Sequence, residues 1–136
     1  MFCMESKIKR PKNFFAVFAG VLFLDQLLKN IYLREGLFQK NYAALFGIKA
    51  DPIFSIIALI VFLSGICIIM KNKKDAEIFS LPLALILAGI AGNTIDRLRL
   101  GFIIDYIKLS NEFIFNLADV AIILGTILLI WRIIKE

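Results

Sequence analysis

The residues of this chain that could do chemistry are carboxylates beside its most apolar stretches. Asp119 stands at the start of the last apolar run, in Asn116-Leu117-Ala118-Asp119, and Asp105 lies just upstream in the segment 101–107. An ionisable side chain at the edge of a bilayer is costly to bury, so it is a candidate functional group. Two converging carboxylates share a proton, and then one can accept a proton from water while the other donates to a carbonyl oxygen. Such a pair predicts hydrolysis of a peptide or an ester without a metal or a cofactor.

Each acid also has an ordinary structural explanation. Asp105 alone would be a loop carboxylate, and Asp119 alone would be a helix N-cap, where negative charge is favourable. These explanations do not account for the other polar residues that map to the same rim of a very apolar protein. The rim consists of Asn93, Asp96, Arg97, Asp105, Asn116 and Asp119.

The third apolar segment ends in a polar group of its own. Asn93, Asp96 and Arg97 follow the i, i+3, i+4 spacing that puts side chains on one helix face. Gly89 and Gly92 just before them would let another helix or a substrate approach closely. A packing patch closed by an Asp–Arg pair explains the same residues equally well.

The first apolar segment carries two charges four residues apart, Asp25 and Lys29. This spacing allows an internal ion pair, and we expect a structural pair with Lys29 reaching outward to the interface. Support of a nearby site is a secondary expectation. Asn41, in the connection that follows, has the residue type of a turn.

Composition places the chain in a membrane. Hydrophobic residues make up 60% of it and the mean hydropathy is +0.85, against roughly 45–50% apolar residues in soluble domains. A bilayer core takes about 20 helical residues. We predict one all-α integral membrane domain, 1–136. Its four transmembrane helices are predicted at 14–33, 53–70, 78–97 and 113–134.

The basic residues indicate how the helices are oriented. With both termini in the cytoplasm, nine lie on the inner side and six on the outer side, a moderate positive-inside preference. The inner residues are Lys7, Lys9, Arg10, Lys12, Lys71, Lys73, Lys74, Arg132 and Lys135. The outer ones are Arg34, Lys40, Lys49, Arg97, Arg99 and Lys108. The charges within the helices then gather in the outer leaflet, which predicts one site on the extracytoplasmic face.

Several classes of function are excluded or disfavoured. The chain has no histidine, so His-based triads and His-ligated zinc sites are excluded. Cys3 and Cys67 form no CxxC motif, and we expect no disulfide between them. The net charge of +5 is clustered at segment ends, which suits phospholipid head groups and not nucleic acid. The basic start imitates a secretory leader without a cleavage site, so we expect a retained first helix.

Five blocks of the chain together resemble the bacterial lipoprotein signal peptidases, the signal peptidase II or A8 family of aspartyl peptidases. The specific elements are Asn and Asp-Arg in the third block, Asp-Tyr-Ile in the fourth and Phe-Asn-x-Ala-Asp in the fifth. The blocks occur in the family's order across all four apolar segments, at 25–29, 41–47, 89–97, 101–107 and 115–119.

The resemblance implies a catalytic pair, Asp105 and Asp119, and no metal or cofactor. It also implies a set of residues that bind substrate or support the site: Asn41, Asn93, Arg97, Asn116, Asp25, Lys29 and Asp96. The substrate would be a prolipoprotein with diacylglyceryl on its cysteine, cut just before that cysteine in the bacterial inner membrane. The family fold has four transmembrane helices and a small extracytoplasmic sheet, to which residues 42–48 would contribute. Nothing requires more than a monomer.

Two features depart from the family pattern. Ala43 stands where the first outer-loop block usually has glycine, which removes easy access to positive φ. Asp105 and Asp119 are only fourteen positions apart, which is short for the family. Less chain is then available to cover the site, so we expect any differences in lid behaviour or substrate range to arise here.

Other classes of protein remain as alternatives. A small proton- or ion-coupled transporter would use Asp25, Asp96 and Asp119 as a relay, although these acids gather on one side instead of crossing the membrane. A membrane scaffold would use Gly89 and Gly92 for helix association but would leave the outer polar cluster without a purpose. A presenilin-type protease is disfavoured because no Gly-x-Gly-Asp motif occurs.

Overall fold

The computed structural model describes residues 12–43, 52–69 and 71–135. Within these ranges the chain is mostly helical, with short strands in the connections. The helices are α1 Lys12–Glu35, α2 Pro52–Ile69, α3 Lys73–Leu100 and α4 Leu117–Lys135. The strands are β1 Gln39–Asn41, β2 Ile103–Asp105, β3 Ile107–Lys108 and β4 Ile114–Phe115.

The helices have the length and surface of membrane helices. Asn13–Glu35, Lys74–Leu100 and Leu117–Lys135 are each long and apolar enough to cross a bilayer, and Ser55–Ile69 of α2 is a shorter apolar helix. At about 1.5 Å per residue, α2 as a whole extends about 27 Å. Large apolar side chains point away from the protein, and Phe15, Val61 and Ile134 are 76%, 65% and 79% exposed. Such a surface suits hydrocarbon and not water.

Helix α3 is the central element and packs against each of the other three helices. Asn72 caps its start by accepting a hydrogen bond from the Lys74 N–H (3.1 Å). Gly101 ends it in the left-handed region at φ 79°, donating its N–H to the Arg97 carbonyl (3.0 Å). Helix α3 therefore extends beyond the predicted 78–97, and Arg97 lies inside its last turn instead of ending it.

The helices pack in two ways along α3. At one end, Phe14 of α1 and Ile66 of α2 form a buried apolar cluster with Leu83, Ala84 and Leu87 of α3. Helix α4 instead approaches α3 through small residues.

At Gly89, an added Cβ would collide with the backbone carbonyl of Ala118 and with the side chain of Ile122, both in α4. At Gly125, an added Cβ would lie 2.7 Å from Ile86 Cγ1 and 2.8 Å from the Pro82 carbonyl oxygen. The expected role of Gly89 in close helix approach is confirmed by this contact.

Pro82 interrupts the hydrogen bonding of α3 and is compensated by α4. A proline has no N–H, so it cannot donate to the carbonyl four residues earlier, here that of Ile78. The Arg132 guanidinium donates to that same carbonyl. A basic residue in the last turn of α4 thus satisfies a partly buried acceptor in α3.

The strands bring two distant connections together. Strand β1 pairs antiparallel with β2, with Gln39 opposite Asp105 and Asn41 opposite Ile103. Strands β3 and β4 form a hairpin with Ile107 opposite Phe115. Strand β1 precedes the predicted element 42–48, of which residues 44–48 lie outside the described residues.

The end of the hairpin also sets the start of the last helix. Because Ile114–Phe115 is a strand, α4 begins at Leu117 and not at residue 113 as predicted.

We expect Gly89→Ala to destabilise the protein by about 1–3 kcal/mol, since the methyl group meets backbone that cannot move aside. Gly65→Ala is the matched control, because nothing lies within 4 Å of a Cβ added there; it should be neutral or stabilising by about 0.5–1 kcal/mol. Denaturant unfolding in detergent, followed by circular dichroism, measures both. Equal stability of the two variants would contradict the close α3–α4 contact.

Candidate active site

Asp105 is held by amides on both of its oxygens. It is the last residue of β2 and is 3% exposed. Asn41, in β1, donates to its Oδ2 (2.9 Å), and Asn116 donates to its Oδ1 (2.7 Å). Burial, assisted by the nearby charge of Asp119, raises the pKa of Asp105 to about 6. The β1–β2 pairing thus delivers a buried carboxyl group that holds its proton at mildly acidic pH.

Asp119 is fixed by the start of α4. The Asn116 N–H donates to Asp119 Oδ2 (3.1 Å), and the Asp119 N–H donates to Asn116 Oδ1 (2.9 Å). This reciprocal pair is a capping box with Asn116 at the N-cap and Asp119 at the third helical position. The N-cap is therefore Asn116, and not Asp119 as the sequence suggested.

Asn93 of α3 completes the hydrogen bonding of Asp119. Its Nδ2 donates to Asp119 Oδ1 (2.9 Å), while its Oδ1 accepts from Lys29 Nζ (3.0 Å) and from Asn116 Nδ2 (3.2 Å). One asparagine thus connects an ammonium group, a second asparagine and a carboxylate.

The orientation of each amide follows from partners that can only donate. Lys29 donates to Asn93, the Ala43 N–H donates to Asn41 Oδ1 (2.9 Å), and the Asp119 N–H donates to Asn116. Each of these three amides must therefore turn its NH₂ group toward an acid. All four oxygens of Asp105 and Asp119 accept hydrogen bonds as a result.

Lys29 does not extend outward as expected but is 1% exposed. Its ammonium group has three hydrogens and three partners: Asp25 Oδ2 (2.9 Å), Asp96 Oδ2 (2.9 Å) and Asn93 Oδ1 (3.0 Å). The predicted Asp25–Lys29 ion pair is present, and Asp96 joins it from α3. A paired and fully hydrogen-bonded charge is the form in which lysine tolerates burial.

Asp25 and Asp96 in turn hold the backbone around the site. Asp25 Oδ1 accepts from the Ala118 N–H (2.9 Å) in the first turn of α4, and Asp96 Oδ2 accepts from the Ile104 N–H (3.2 Å) in β2. Gly92 leaves room for this arrangement, since a Cβ there would collide with Asp25. The buried cluster of Asp25, Lys29 and Asp96 therefore positions β2, which carries Asp105, and α4, which carries Asp119.

Arg97 connects the site to its surroundings and makes no hydrogen bond to either acid in the described chain. It donates to Ser55 Oγ of α2 (3.0 Å) and to the Ala43 carbonyl oxygen (2.9 Å). Its Nε is buried and has no partner among the described residues. Among the residues that the structure describes, the site thus has one unpaired N–H donor close to Ala43.

Three further residues contribute that the sequence did not single out. Gln26 Nε2 lies 3.2 Å from both Asp25 Oδ2 and Asp96 Oδ1. Ser55 accepts the hydrogen bond from Arg97. Gln26 could have been found from its place beside Asp25 in the matching block, whereas Ser55 has no signal in the sequence.

Tyr106 is the third contributing residue that the sequence did not single out. Its hydroxyl oxygen accepts from the Leu117 N–H (3.3 Å), and its ring stacks on Tyr32 with centroids 4.4 Å apart. Burial raises the pKa of Tyr106 to about 12, so its phenol stays protonated.

The described residues contain no group of three or more histidine, cysteine or acidic side chains that could hold a metal ion. Cys67 is a free, exposed thiol, and Cys3 lies outside the described residues. The chemistry available at the site is that of two carboxyl groups and their amide donors.

Comparison with known proteins identifies the family. The profile of the Peptidase_A8 family, described as signal peptidase (SPase) II, matches residues 17–135. The chain belongs to the signal peptidase II family. The resemblance drawn from its sequence is thereby confirmed, and with it an enzyme of aspartic peptidase type.

Relatives named lipoprotein signal peptidase support this assignment. The protein from Moorella thermoacetica is 36% identical over 131 residues, covering 84% of this chain and 87% of that one. The protein from Clostridium tetani is 41% identical over 104 residues, covering 71% of this chain and 67% of that one. These relatives give the transporter alternative no support.

Two solved bacterial membrane enzymes share the fold of this signal peptidase II homologue. One has a TM-score of 0.77 at 25% identity and covers 91% of this chain and 94% of its own. The other has a TM-score of 0.78 at 24% identity, covering 90% and 88%. Together with the apolar helices, they establish an integral multi-pass membrane protein.

We expect Lys29→Met to destabilise the protein by about 3–5 kcal/mol, because it leaves Asp25 and Asp96 buried without their cation. Adding Asp25→Asn should recover part of this loss. Lys74→Met, at an exposed position near the start of α3, is the control and should change stability by less than about 1 kcal/mol. Unfolding in detergent measures the stability of all three variants. A Lys29→Met protein as stable as its parent would show that stability does not depend on the buried ammonium group.

Proposed function

We propose that Asp105 and Asp119 form the catalytic pair with which this signal peptidase II removes signal peptides from prolipoproteins. Asn116 carries the argument. Its side chain donates to Asp105 (2.7 Å) and accepts from the Asp119 N–H (2.9 Å), and its own N–H donates to Asp119 (3.1 Å). One residue therefore holds two carboxyl groups together beside apolar helices, the arrangement that an aspartyl peptidase requires.

The environments of the two acids support different starting states. Asp105 is buried at the end of a strand and its pKa is raised to about 6. Asp119 lies in the first turn of α4, where the helix dipole favours a negative charge. In the proposed reaction Asp105 therefore carries the shared proton, and Asp119 is the proton acceptor.

The proposed reaction begins with water between the two acids. Asp119 takes a proton from the water, whose oxygen attacks the scissile carbonyl carbon, and Asp105 donates its proton to the carbonyl oxygen. Collapse of the tetrahedral intermediate breaks the C–N bond as Asp119 passes its proton to the leaving nitrogen and Asp105 takes a proton back from an intermediate hydroxyl. The signal peptide keeps the new carboxyl group. No metal or cofactor takes part.

The remaining polar residues position this pair. Asn41, Asn93 and Asn116 hold the carboxyl oxygens so that the acids keep their orientation through the reaction. The unpaired Nε–H of Arg97 is available for a substrate carbonyl or a lipid oxygen. Asp25, Lys29 and Asp96 hold β2 and α4 in place.

The family and the arrangement of the helices support the proposed substrate and location. The cut falls just before a cysteine that carries diacylglyceryl, and all four helices span the bacterial inner membrane. The α2–α3 turn, with Lys71, belongs to the cytoplasmic side together with both termini. The strands and the two acids lie at the other ends of α1 and α3, on the extracytoplasmic face.

We expect Asp105→Asn and Asp119→Asn each to lower kcat by at least about 10²–10⁴-fold, because each removes one side of the proton transfer. Asp75→Asn, in the first turn of α3, is the control and should cut at the parental rate. The assay is cleavage of a lipidated prolipoprotein peptide in detergent, with folding checked by circular dichroism. Full activity in both site variants would refute the mechanism.

The pH profile should reveal which acid holds the proton. With Asp105 as the proton donor, kcat/KM should fall as pH rises through about 6, losing about tenfold per unit where the free enzyme is deprotonated. Rates measured between pH 4.5 and 8.5 test this. A kcat/KM that instead rises through pH 6 and then levels off would reverse the roles of the two acids.

A further inference from the structure

A polar pocket opens beside Asp105 on the side of the strands. Its volume is about 230 Å³, and six of the seven described residues that line it have polar or charged side chains. Its walls come from β1, from the turn of the β3–β4 hairpin and from Ile114 of β4. At less than the roughly 300–1,000 Å³ of pockets for drug-sized ligands, it suits one amino-acid side chain better than a large molecule.

Two residues of opposite charge line this pocket, and neither has a role in the mechanism above. Lys40 stands on β1 and Glu112 in the hairpin turn, both exposed. They form no ion pair with each other within the described chain. The Lys40 ammonium group lies 5.1 Å from the centre of the Phe102 ring, which is a cation–π contact.

We propose that this pocket binds the side chain of the residue that follows the lipid-bearing cysteine, and that Lys40 and Glu112 bias cleavage according to its charge. The proposal rests on the peptidase function proposed above, and it adds a substrate-selecting subsite that is separate from the acids themselves.

Chain geometry connects the pocket to that position. The scissile bond lies at Asp105, which also lines the pocket, and an extended chain advances about 3.3–3.6 Å per residue. The Cα of the residue after the cysteine then lies about 7 Å from the Cα of the residue before the cut, within reach of the pocket. Successive side chains of an extended chain point to opposite faces. When the cysteine directs its lipid toward the membrane, the next side chain points away from it, toward the strands.

The experiment compares three lipidated peptides that differ only in having Ser, Asp or Lys after the cysteine. Glu112→Lys leaves two cations at the pocket, and Lys40→Glu leaves two anions. We expect the ratio of kcat/KM for the Asp peptide to that for the Lys peptide to rise about two- to fivefold in Glu112→Lys and to fall similarly in Lys40→Glu, as for one exposed ion pair. The Ser peptide should be cut at the parental rate, and added salt should weaken both shifts.

Matched charge reversals outside the pocket serve as controls. Glu35→Lys, at the end of α1, and Lys108→Glu, in β3, change the net charge equally but do not line the pocket. Unchanged ratios in the two pocket variants, or equal shifts in the controls, would overturn the subsite. Failure of the parent to cut even the Ser peptide would instead refute the peptidase function.

If a reversal lowers cleavage of the Ser peptide, Lys40→Gln and Glu112→Gln replace the reversals in the same comparison. Shifts of about half the size, in the same directions, are then required by the proposal, and unchanged ratios overturn it.

Discussion

The buried ammonium group of Lys29 is the interaction on which the site depends. Its three hydrogens go to Asp25 in its own helix and to Asp96 and Asn93 in α3. Since lysine can only donate, it fixes the Asn93 amide with its NH₂ group toward Asp119. The same cation allows two carboxylates to stay buried, and these bind the N–H groups of Ala118 and Ile104. A single desolvated charge thus helps to determine both the orientation of Asp119, one of the two proposed catalytic acids, and the placement of the elements that carry both acids. Removal of a partner from such a cluster is costly because the others remain buried.

Small residues on α3 make this arrangement sterically possible. The Asp25 carboxylate occupies the space that a side chain at Gly92 would fill, and the first turn of α4 occupies the space above Gly89. Arg132 of α4 supports this packing, because it donates to the Ile78 carbonyl that Pro82 leaves without a helical partner near the start of α3. Helix packing and site geometry are therefore one constraint. A substitution that separates α3 from α4 also removes the Ala118 N–H from Asp25, and with it the position of Asp119.

Much of this arrangement could be predicted from the sequence, and the remainder could not for identifiable reasons. Hydropathy and length gave the helices, and the i, i+4 spacing of Asp25 and Lys29 gave their ion pair, because these signals are local. The direction of Lys29 was predicted wrongly, since an isolated helix offers its ammonium group no partner better than the interface, and Asp96 is 67 positions away. The β1–β2 pairing depends on strands too short to leave a pattern. The capping box was misassigned by three residues because Asn and Asp are both good N-cap residues.

The short connection between Asp105 and Asp119 now has a structural explanation. Residues 107–115 are taken up by the β3–β4 hairpin, so little chain is left over to form a separate cover for the acids. The hairpin turn exposes Leu109 and Phe113, at 78% and 66%, while Glu112 lines the polar pocket. One side of the turn therefore suits the apolar membrane surface and the other suits a polar chain. A peptidase whose substrate is half membrane-embedded and half water-soluble must receive both kinds of surface at the cut. In this chain the nine-residue hairpin presents both kinds of surface. The proposed subsite would then place the selectivity of the enzyme in the exposed charges beside Asp105.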